Sequence, residues 1–474
     1  MIRFLLLLSF LTLSFFSFSQ AFKIGEFQQT ESFKKAPRKV INKIQVIGNK
    51  LTKEHIILRE LTFHVGDTLS NDDLAENLTQ SKKNILNTSL FNFAQLDVAL
   101  IDSLHTVVLI QLTERWYIFP LPIFEIDDNN FNTWWKDKDF SRINYGMHLS
   151  HNNFRGRKEK LSITAKYGFT ERYRTRYNIP YLNRKQKSGI RISFSYNRRD
   201  EISYNSFGNE RLQYKDANQD ALRNYSTNIT YNYREKIFNS HSFSISYDYN
   251  SIVDSVRILN PDYLTNSKDK LKYFALTYQF THDRRDSKNY PLKGRYFRAS
   301  IRKTGLGIED PIDLTNLNLE FKKYHPLSEK FFLAASLRAL FTANNKQPHL
   351  LRNGLGYNSF SIRSYEYYVI DGHNIGLVKA QIKYQLVKPK IAHFGAISDK
   401  FGKFHYAFYI GIFSDAAYVE DQIGFPKNDL ANQIQFGSGL GLDFVSYYDV
   451  VIRGEFSINK FGESGLFLHF VAPI

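Results

Sequence analysis

The chain has no cysteine, and only two methionines and three tryptophans in 474 residues. Without cysteine there can be no disulfide framework, no thiolate zinc site and no thiol nucleophile. Long hydrophobic runs are also missing. Past the extreme N-terminus, no stretch reaches the roughly 18–20 consecutive apolar residues of a membrane-spanning helix, which excludes a helical membrane protein. Neither G-x-S-x-G nor H-E-x-x-H occurs, and the thirteen histidines are scattered, so no catalytic signature argues for an enzyme. What the chain does have is aromatic bulk: 41 Phe and 30 Tyr, with 43% hydrophobic residues overall. That is too much apolar surface for a disordered chain. Lys and Arg exceed Asp and Glu by 63 − 46 = +17. These charges are spread over the whole chain with no helical stripe, so nucleic acid is not an expected partner. They suit anionic lipid headgroups and a polar interior instead.

Arg3 precedes the apolar run Phe4–Leu8 with Phe10, Leu11 and Leu13, and the small residues Ser17 and Ser19 stand just before Gln20. A positive start, a short apolar core and a small-residue exit predict a secretory signal peptide over residues 1–19. A linker over 20–38 follows. Residues 39–115 read as β-α-α-β-β. Val40, Ile41, Ile44, Val46 and Ile47 form a strand that ends at the turn pair Gly48-Asn49. Ser70 opens a helix carrying Leu74, Leu78, Ile85 and Leu86 on one face. Two alternating strands follow at 93–101 and 105–113.

From 116 to 474 the dominant signal has period two. Phe243, Ile245, Tyr247 and Tyr249 alternate with Ser242, Ser244, Ser246 and Asp248, and the same pattern recurs sixteen times between 117–126 and 464–471. One face is apolar and aromatic, and the other is polar, glycine or charged. In an exported protein this predicts a sixteen-stranded antiparallel transmembrane β-barrel, because lipid leaves every unpaired backbone group unsatisfied unless the sheet closes. The polar stretches 199–223, 251–270, 342–374 and 414–432 are expected to be its long loops. The fold class is therefore β: a large barrel preceded by one small α+β domain.

Several local patterns resemble known ones. The strand Ile44–Asn49, Gly66-Asp67 between the helices, and Leu90-Phe91-Asn92-Phe93 are similar to a POTRA domain, the periplasmic module of outer-membrane assembly proteins. Asp283-Arg284-Arg285-Asp286 followed by Tyr290-Pro291-Leu292-Lys293-Gly294 resembles the D-x-R-D…P-x-x-G turn of the outer-membrane barrel-assembly superfamily, the BamA/TamA-like or bacterial surface antigen type. Later and in the same order come Ser361-Ile362-Arg363-Ser364-Tyr365-Glu366, Phe413-Ser414-Asp415-Ala416-Ala417 and Gly437-x-Gly439-x-Gly441. The chain departs from the family pattern at Ser364 and Ala417, which stand at glycine positions, and at Gln381, which stands where a glutamate is often found.

The resemblance implies that Arg363 and Tyr365 lie on a loop folded into the lumen, with Arg363 locked against Asp415. A guanidinium in a shielded lumen requires a carboxylate, and a bidentate pair pins the loop. It also implies a turn set by Asp283, Arg285, Asp286, Pro291 and Gly294, and a lateral seam between the first and last strands. Pro120 and Pro122 in the first strand and Pro473 after the last predict weak pairing there, because proline cannot donate to a ladder. The implied work is insertion or translocation of unfolded outer-membrane or secreted protein clients by β-augmentation, in contact with outer-membrane lipid and periplasmic accessory proteins, without nucleotide, metal or other cofactor. A dedicated secretion translocator and a passive porin remain the alternatives.

Overall fold

The computed structural model describes residues 38–126, 140–183, 185, 187–216, 219–308, 312–344, 347–356, 360–393, 403–446 and 451–469. The signal peptide 1–19, the linker up to residue 37 and Pro473 lie outside the described residues.

The N-terminal module contains β1 (Arg38–Ile47), α1 (Glu54–Leu58), β2 (Thr68–Ser70), α2 (Asn71–Leu86), β3 (Phe91–Leu100) and β4 (His105–Glu114). Its sheet has the order β2-β1-β4-β3, with β1 and β4 parallel. Ser70 caps α2 by accepting from the Asp73 N–H at 3.1 Å, and Asp72 and Asp73 suit the positive end of the helix dipole. Ile41, Ile56, Phe63, Leu74, Ile85, Phe91, Val108 and Ile110 form the core between helices and sheet. The strand β2 was not expected. Three residues are too short to carry a period.

The large sheet begins with β5 (Ile118–Ile126), β6 (Ile143–Phe154), β7 (Glu159–Gly168), β8 (Thr170–Ile179) and β9 (Ser188–Arg199). A separate hairpin, β10 (Glu201–Phe207) and β11 (Glu210–Lys215), follows, then β12 (Leu222–Arg234), β13 (Asn239–Ile252), the helix α3 (Asp254–Leu259), β14 (Lys270–Asp283), β15 (Gly294–Thr304), β16 (Leu314–Pro326) and β17 (Phe331–Ala343). A second small hairpin joins β18 (Asn353–Leu355) to β19 (Ile370–Gly372), and the chain ends with β20 (Asn374–His393), β21 (Lys403–Glu420), β22 (Ile434–Ser446), β23 (Val451–Asn459) and β24 (Ser464–His469). Sixteen of these strands form one sheet that runs from β5 at one edge to β24 at the other. Phe243, Ile245, Leu276, Tyr278 and Ile301 are exposed on its outer face, whereas Ser246, Asn250, Glu320, Lys383 and Asp443 are buried on the inner one. This is the apolar-out, polar-in arrangement of a lipid-facing barrel.

Two loop boundaries differ from expectation. The stretch 414–432 was expected to be loop, but β21 continues to Glu420. Its outward residues Ser414 and Ala416 are small and blur the alternation. Its inward residues Asp415, Ala417 and Val419 are buried, and the latter two pack on Ile370, Ile375 and Leu430. The stretch 199–223 contains the β10–β11 hairpin. Ile202 in that hairpin joins Leu222, Val256, Tyr263, Leu264, Leu271 and Ile312 in an apolar cluster at the end of the barrel remote from the module.

The module packs against the near-end turns of the barrel. Lys53 N–H donates to the Gly156 carbonyl at 2.9 Å, and Asn153 Nδ2 donates to Thr52 Oγ1 at 2.9 Å. Glu60, buried at the contact, takes both prongs of Arg234 at 2.9 and 3.1 Å, and Lys158 Nζ lies 3.8 Å away. Burial pushes the Glu60 carboxyl up, but Lys158 and Arg234 outweigh it and hold it down at about 2, from an ordinary 4.5. Because the folded value is depressed, the docking contribution is full above about pH 4.5 and is lost as pH falls through about 2. Spin-label distances between the module and the β12–β13 turn are therefore expected to stay constant from neutral pH to about 4.5 and to lengthen below it. Unchanged distances down to pH 2 would refute the role of Glu60.

Candidate functional site

The loop between β17 and β20 turns back into the lumen. Leu355, Phe360, Ile362, Tyr365 and Ile370 bury their side chains against Leu340, Leu377, Ala417 and Val419 of the barrel wall. Arg363 sits near the tip of this loop. Its Nη2 and Nε donate to the two carboxylate oxygens of Asp415 at 2.5 and 2.8 Å, and its own backbone N–H donates to Asp415 Oδ2 at 3.2 Å. Its third nitrogen, Nη1, is 3.5 Å from Glu455 Oε1, and the guanidinium lies 3.7 Å from the centroid of the Phe413 ring. Asp415 is fully buried. The planar fork of arginine meets each of these partners at once, which a lysine ammonium would not do.

Glycines make room for the tip. A Cβ on Gly437 would collide with the Arg363 carbonyl oxygen, so that position on β22 seats the loop backbone directly. Tyr365 Oη donates to the Phe436 carbonyl at 3.3 Å on the same strand. Ser364, between them, has φ +75, a left-handed conformation that favours glycine, and its buried Oγ has no hydrogen-bond partner among the described residues. Ser364→Gly is therefore expected to stabilise the protein by about 1 kcal/mol. The check is the temperature at which the heat-modifiable band shifts on a gel, and a lowered temperature would contradict the strain.

At the opposite end of the lumen the β14–β15 turn points inward. Arg285 clasps Asp283 through Nε and Nη2, both at 2.8 Å, and lies over the Tyr296 ring. Asp286 Oδ1 accepts the backbone N–H groups of Ser287, Leu292 and Lys293 at 2.9–3.2 Å, closing the loop around Pro291. Gly294 has φ +111, and a Cβ there would strike the Arg284 carbonyl. The product of this turn is the position of Tyr290. Its ring lies 4.9 Å from that of Tyr409, tilted by 36°, and its Oη donates to Asp443 Oδ2 at 2.6 Å.

The two inward projections are joined by charge. Asp443 takes a bidentate grip from Arg453, whose Nη1 is 3.4 Å from Glu455, and Glu455 in turn faces Arg363. Lys383 Nζ is 3.8 Å from Asp443 and 4.3 Å from the Tyr290 ring centroid. His469 Nε2 is 3.1 Å from Glu455 and Lys379 Nζ 3.7 Å from Asp415. A continuous ladder of buried charges on the inner faces of β20 to β23 therefore links the far-end loop to the near-end turn. Tyr290 appeared in the sequence reading only as part of the turn, and Lys383, Asp443, Arg453 and Glu455 were not singled out at all. Their signal was present as charged residues at inward positions of otherwise apolar or glycine-rich strands.

The third feature is the edge of the sheet. Among the described residues no ladder joins β5 to β24. Pro120 and Pro122 lie within β5, opposite Leu149 and Met147 of β6.

Residues 153–446 match the family described as Omp85 superfamily domain, and residues 39–113 match that described as Surface antigen variable number repeat, the POTRA family. Three solved structures share the fold. BamA from Haemophilus ducreyi lacking POTRA domains 1–3 is 14% identical with a TM-score of 0.51, covering 91% of this chain and 83% of that one. CdiB from Escherichia coli is 10% identical with a TM-score of 0.55, covering 91% and 75%. CdiB from Acinetobacter baumannii is 14% identical with a TM-score of 0.50, covering 91% and 74%. No curated protein is similar enough in sequence to match.

Proposed function

Because this chain belongs to the Omp85 superfamily, an outer-membrane family of barrels carrying periplasmic POTRA domains, we propose that it inserts barrel proteins into the outer membrane through a lateral opening between β5 and β24. The general task, protein insertion or translocation at the outer membrane, is that of the superfamily, whose members are assembly factors or transporters. The finer reading rests on one observation: among the described residues the sheet runs from β5 to β24 with no ladder between the two, while side chains occupy the lumen from both ends. A lumen so occupied conducts poorly, which argues against a passive porin.

In this reading the POTRA domain, over about residues 39–115, receives unfolded clients from the periplasm. The barrel, from about residue 116 onward, offers a strand edge to which a client adds backbone hydrogen bonds, an association that demands no particular client sequence. Arg363, Tyr365 and Asp415 hold the loop that braces the wall beside the opening. Client folding and lipid burial supply the driving force, with no nucleotide or metal. Depletion of the protein followed by quantitation of the outer-membrane proteome tests this. Loss of many barrel proteins together is the expected result. Loss of one exported protein alone would instead mean a dedicated translocator, and an unchanged proteome would refute both.

A further inference from the structure

Where the outer wall of the barrel meets the module, the two enclose a cleft of about 610 Å³. The β14–β15 turn, the start of β15 and the end of β16 form one side, and α2 of the module forms the other. Five cations line it: Arg284 and Lys293 from the turn, Arg295 from β15, Lys323 from β16 and Lys83 from α2. Among the described residues none of the five makes an ion pair, and Arg284 lies 5.5 Å from the Phe238 ring centroid. The carboxylates at the cleft are Glu76 and Asp286. Asp286 Oδ1 is held by three backbone N–H groups of its own turn, which leaves Glu76 to face five cations. Arg295 and Lys323 stand directly opposite each other in the β15–β16 ladder. Like charges so placed repel and weaken the pairing. The next three rungs outward on the same face are Phe297–Phe321, Ala299–Leu319 and Ile301–Leu317, all apolar. Phe321, Leu317 and Ile301 are exposed. Cations therefore stand at the periplasmic rim, and an apolar stripe rises from them into the bilayer.

We propose that this cleft binds the headgroup of an anionic phospholipid from the periplasmic leaflet of the outer membrane, and that the lipid bridges barrel and module. The site is separate from the lateral opening and does not depend on it. A phosphodiester suits the residues present. Arginine offers a fork of donors to phosphate oxygens, and lysine adds charge without demanding one geometry. The apolar stripe above selects a lipid over a soluble phosphate or an acidic peptide, because only a lipid has acyl chains to lay along Phe321, Leu317 and Ile301. The long stems of Arg295 and Lys323 cover apolar wall while their charged ends stay at headgroup level. A headgroup of net negative charge is favoured over a zwitterionic one, whose ammonium would meet the same five cations. The bound phosphate offsets the repulsion between Arg295 and Lys323. Lys83 lines the same cleft from the module, so the lipid adds a contact between the two domains next to that of Glu60 with Arg234. The composition of the leaflet thereby sets how firmly the module is held.

For the test, the full-length protein in a neutral detergent is mixed with equal amounts of phosphatidylglycerol and phosphatidylcholine, and the retained lipid is counted by native mass spectrometry. The wild type is expected to keep one phosphatidylglycerol with at least about tenfold preference, since each basic side chain at an anionic headgroup contributes roughly fivefold. Arg295→Gln/Lys323→Gln is expected to lose the preference, and Lys83→Gln to weaken it about fivefold. Lys303→Gln, at an outward cation of the opposite rim that pairs with Asp313, is expected to leave it unchanged. In lipid-free detergent the double variant is expected to melt no lower than the wild type, because a repulsion has been removed. Added phosphatidylglycerol is expected to raise the melting temperature of the wild type and not that of the double variant. Equal retention of the two lipids, or a preference that survives the double substitution, would overturn the site. A preference unaffected by Lys83→Gln would overturn the bridge. Displacement of the lipid by glycerol 3-phosphate as readily as by fresh phosphatidylglycerol would mean a soluble phosphate site and would overturn the lipid assignment. Each of these results leaves the lateral opening untouched.

Discussion

Arg363→Ala is expected to free the lumenal loop and abolish most client insertion, at a cost of about 3–5 kcal/mol in barrel stability. The magnitude follows from what remains. Asp415 is fully buried, and without the guanidinium it keeps, among the described residues, the backbone N–H of position 363 at 3.2 Å and Lys379 at 3.7 Å. Glu455 loses one of its two arginine neighbours, and the Phe413 ring loses its covering plane. The loop tip also loses the side chain that fixes it beside Gly437. Three readouts separate local from global damage: protease cleavage of the loop from outside the cell, single-channel conductance, and the heat-modifiable shift. Cleavage and conductance are expected to rise even where the barrel stays folded. Arg363→Lys keeps the charge but offers no fork, so it is expected to fall between alanine and wild type. An Arg363→Ala protein with a protected loop and normal insertion would refute the lock.

The second large effect is expected at the other end. Asp443→Ala removes the one carboxylate shared by Arg453, Lys383 and Tyr290. Two cations are then left buried together, again a loss of about 3–5 kcal/mol. Tyr290 loses its hydrogen bond to the wall, so the near-end turn loosens and conductance in planar bilayers is expected to increase. Asp443→Asn keeps the shape and a hydrogen-bond acceptor, and is expected to lose less. Because Arg453 and Glu455 lie between this site and Arg363, the Arg363→Ala/Asp443→Ala double variant is expected to cost less than the sum of its parts. Strict additivity in thermal unfolding would mean that the charge ladder does not act as a unit.

The barrel was legible in the sequence because each strand reports its own two faces. Alternation of Ile245 with Ser244 and Ser246 needs no knowledge of neighbours, and the same holds for the turn built on Asp286 and Gly294. The POTRA helix at Ser70 announced itself through its cap. What could not be read is what meets across the lumen. Asp443 and Tyr290 are 153 residues apart, and nothing in either strand names the other. The β10–β11 hairpin and β2 are too short for periodicity to register. The extension of β21 past Phe413 escaped notice because its inward face is covered by a loop rather than by another strand.

The lumenal lock also sets an order of events in the life of the molecule. Arg363 precedes Asp415 by 52 residues and Glu455 by 92, and its seat at Gly437 lies between them. A chain emerging N-terminus first presents the loop long before the wall that receives it. Contacts of such long sequence separation form late. The barrel is thus sealed only once its last strands are in place, so a chain that ends early, or stalls before β23, carries an unbraced loop. Sealing the lumen is thereby tied to completion of the chain, and an envelope that cleaves exposed loops has a ready means of removing unfinished copies.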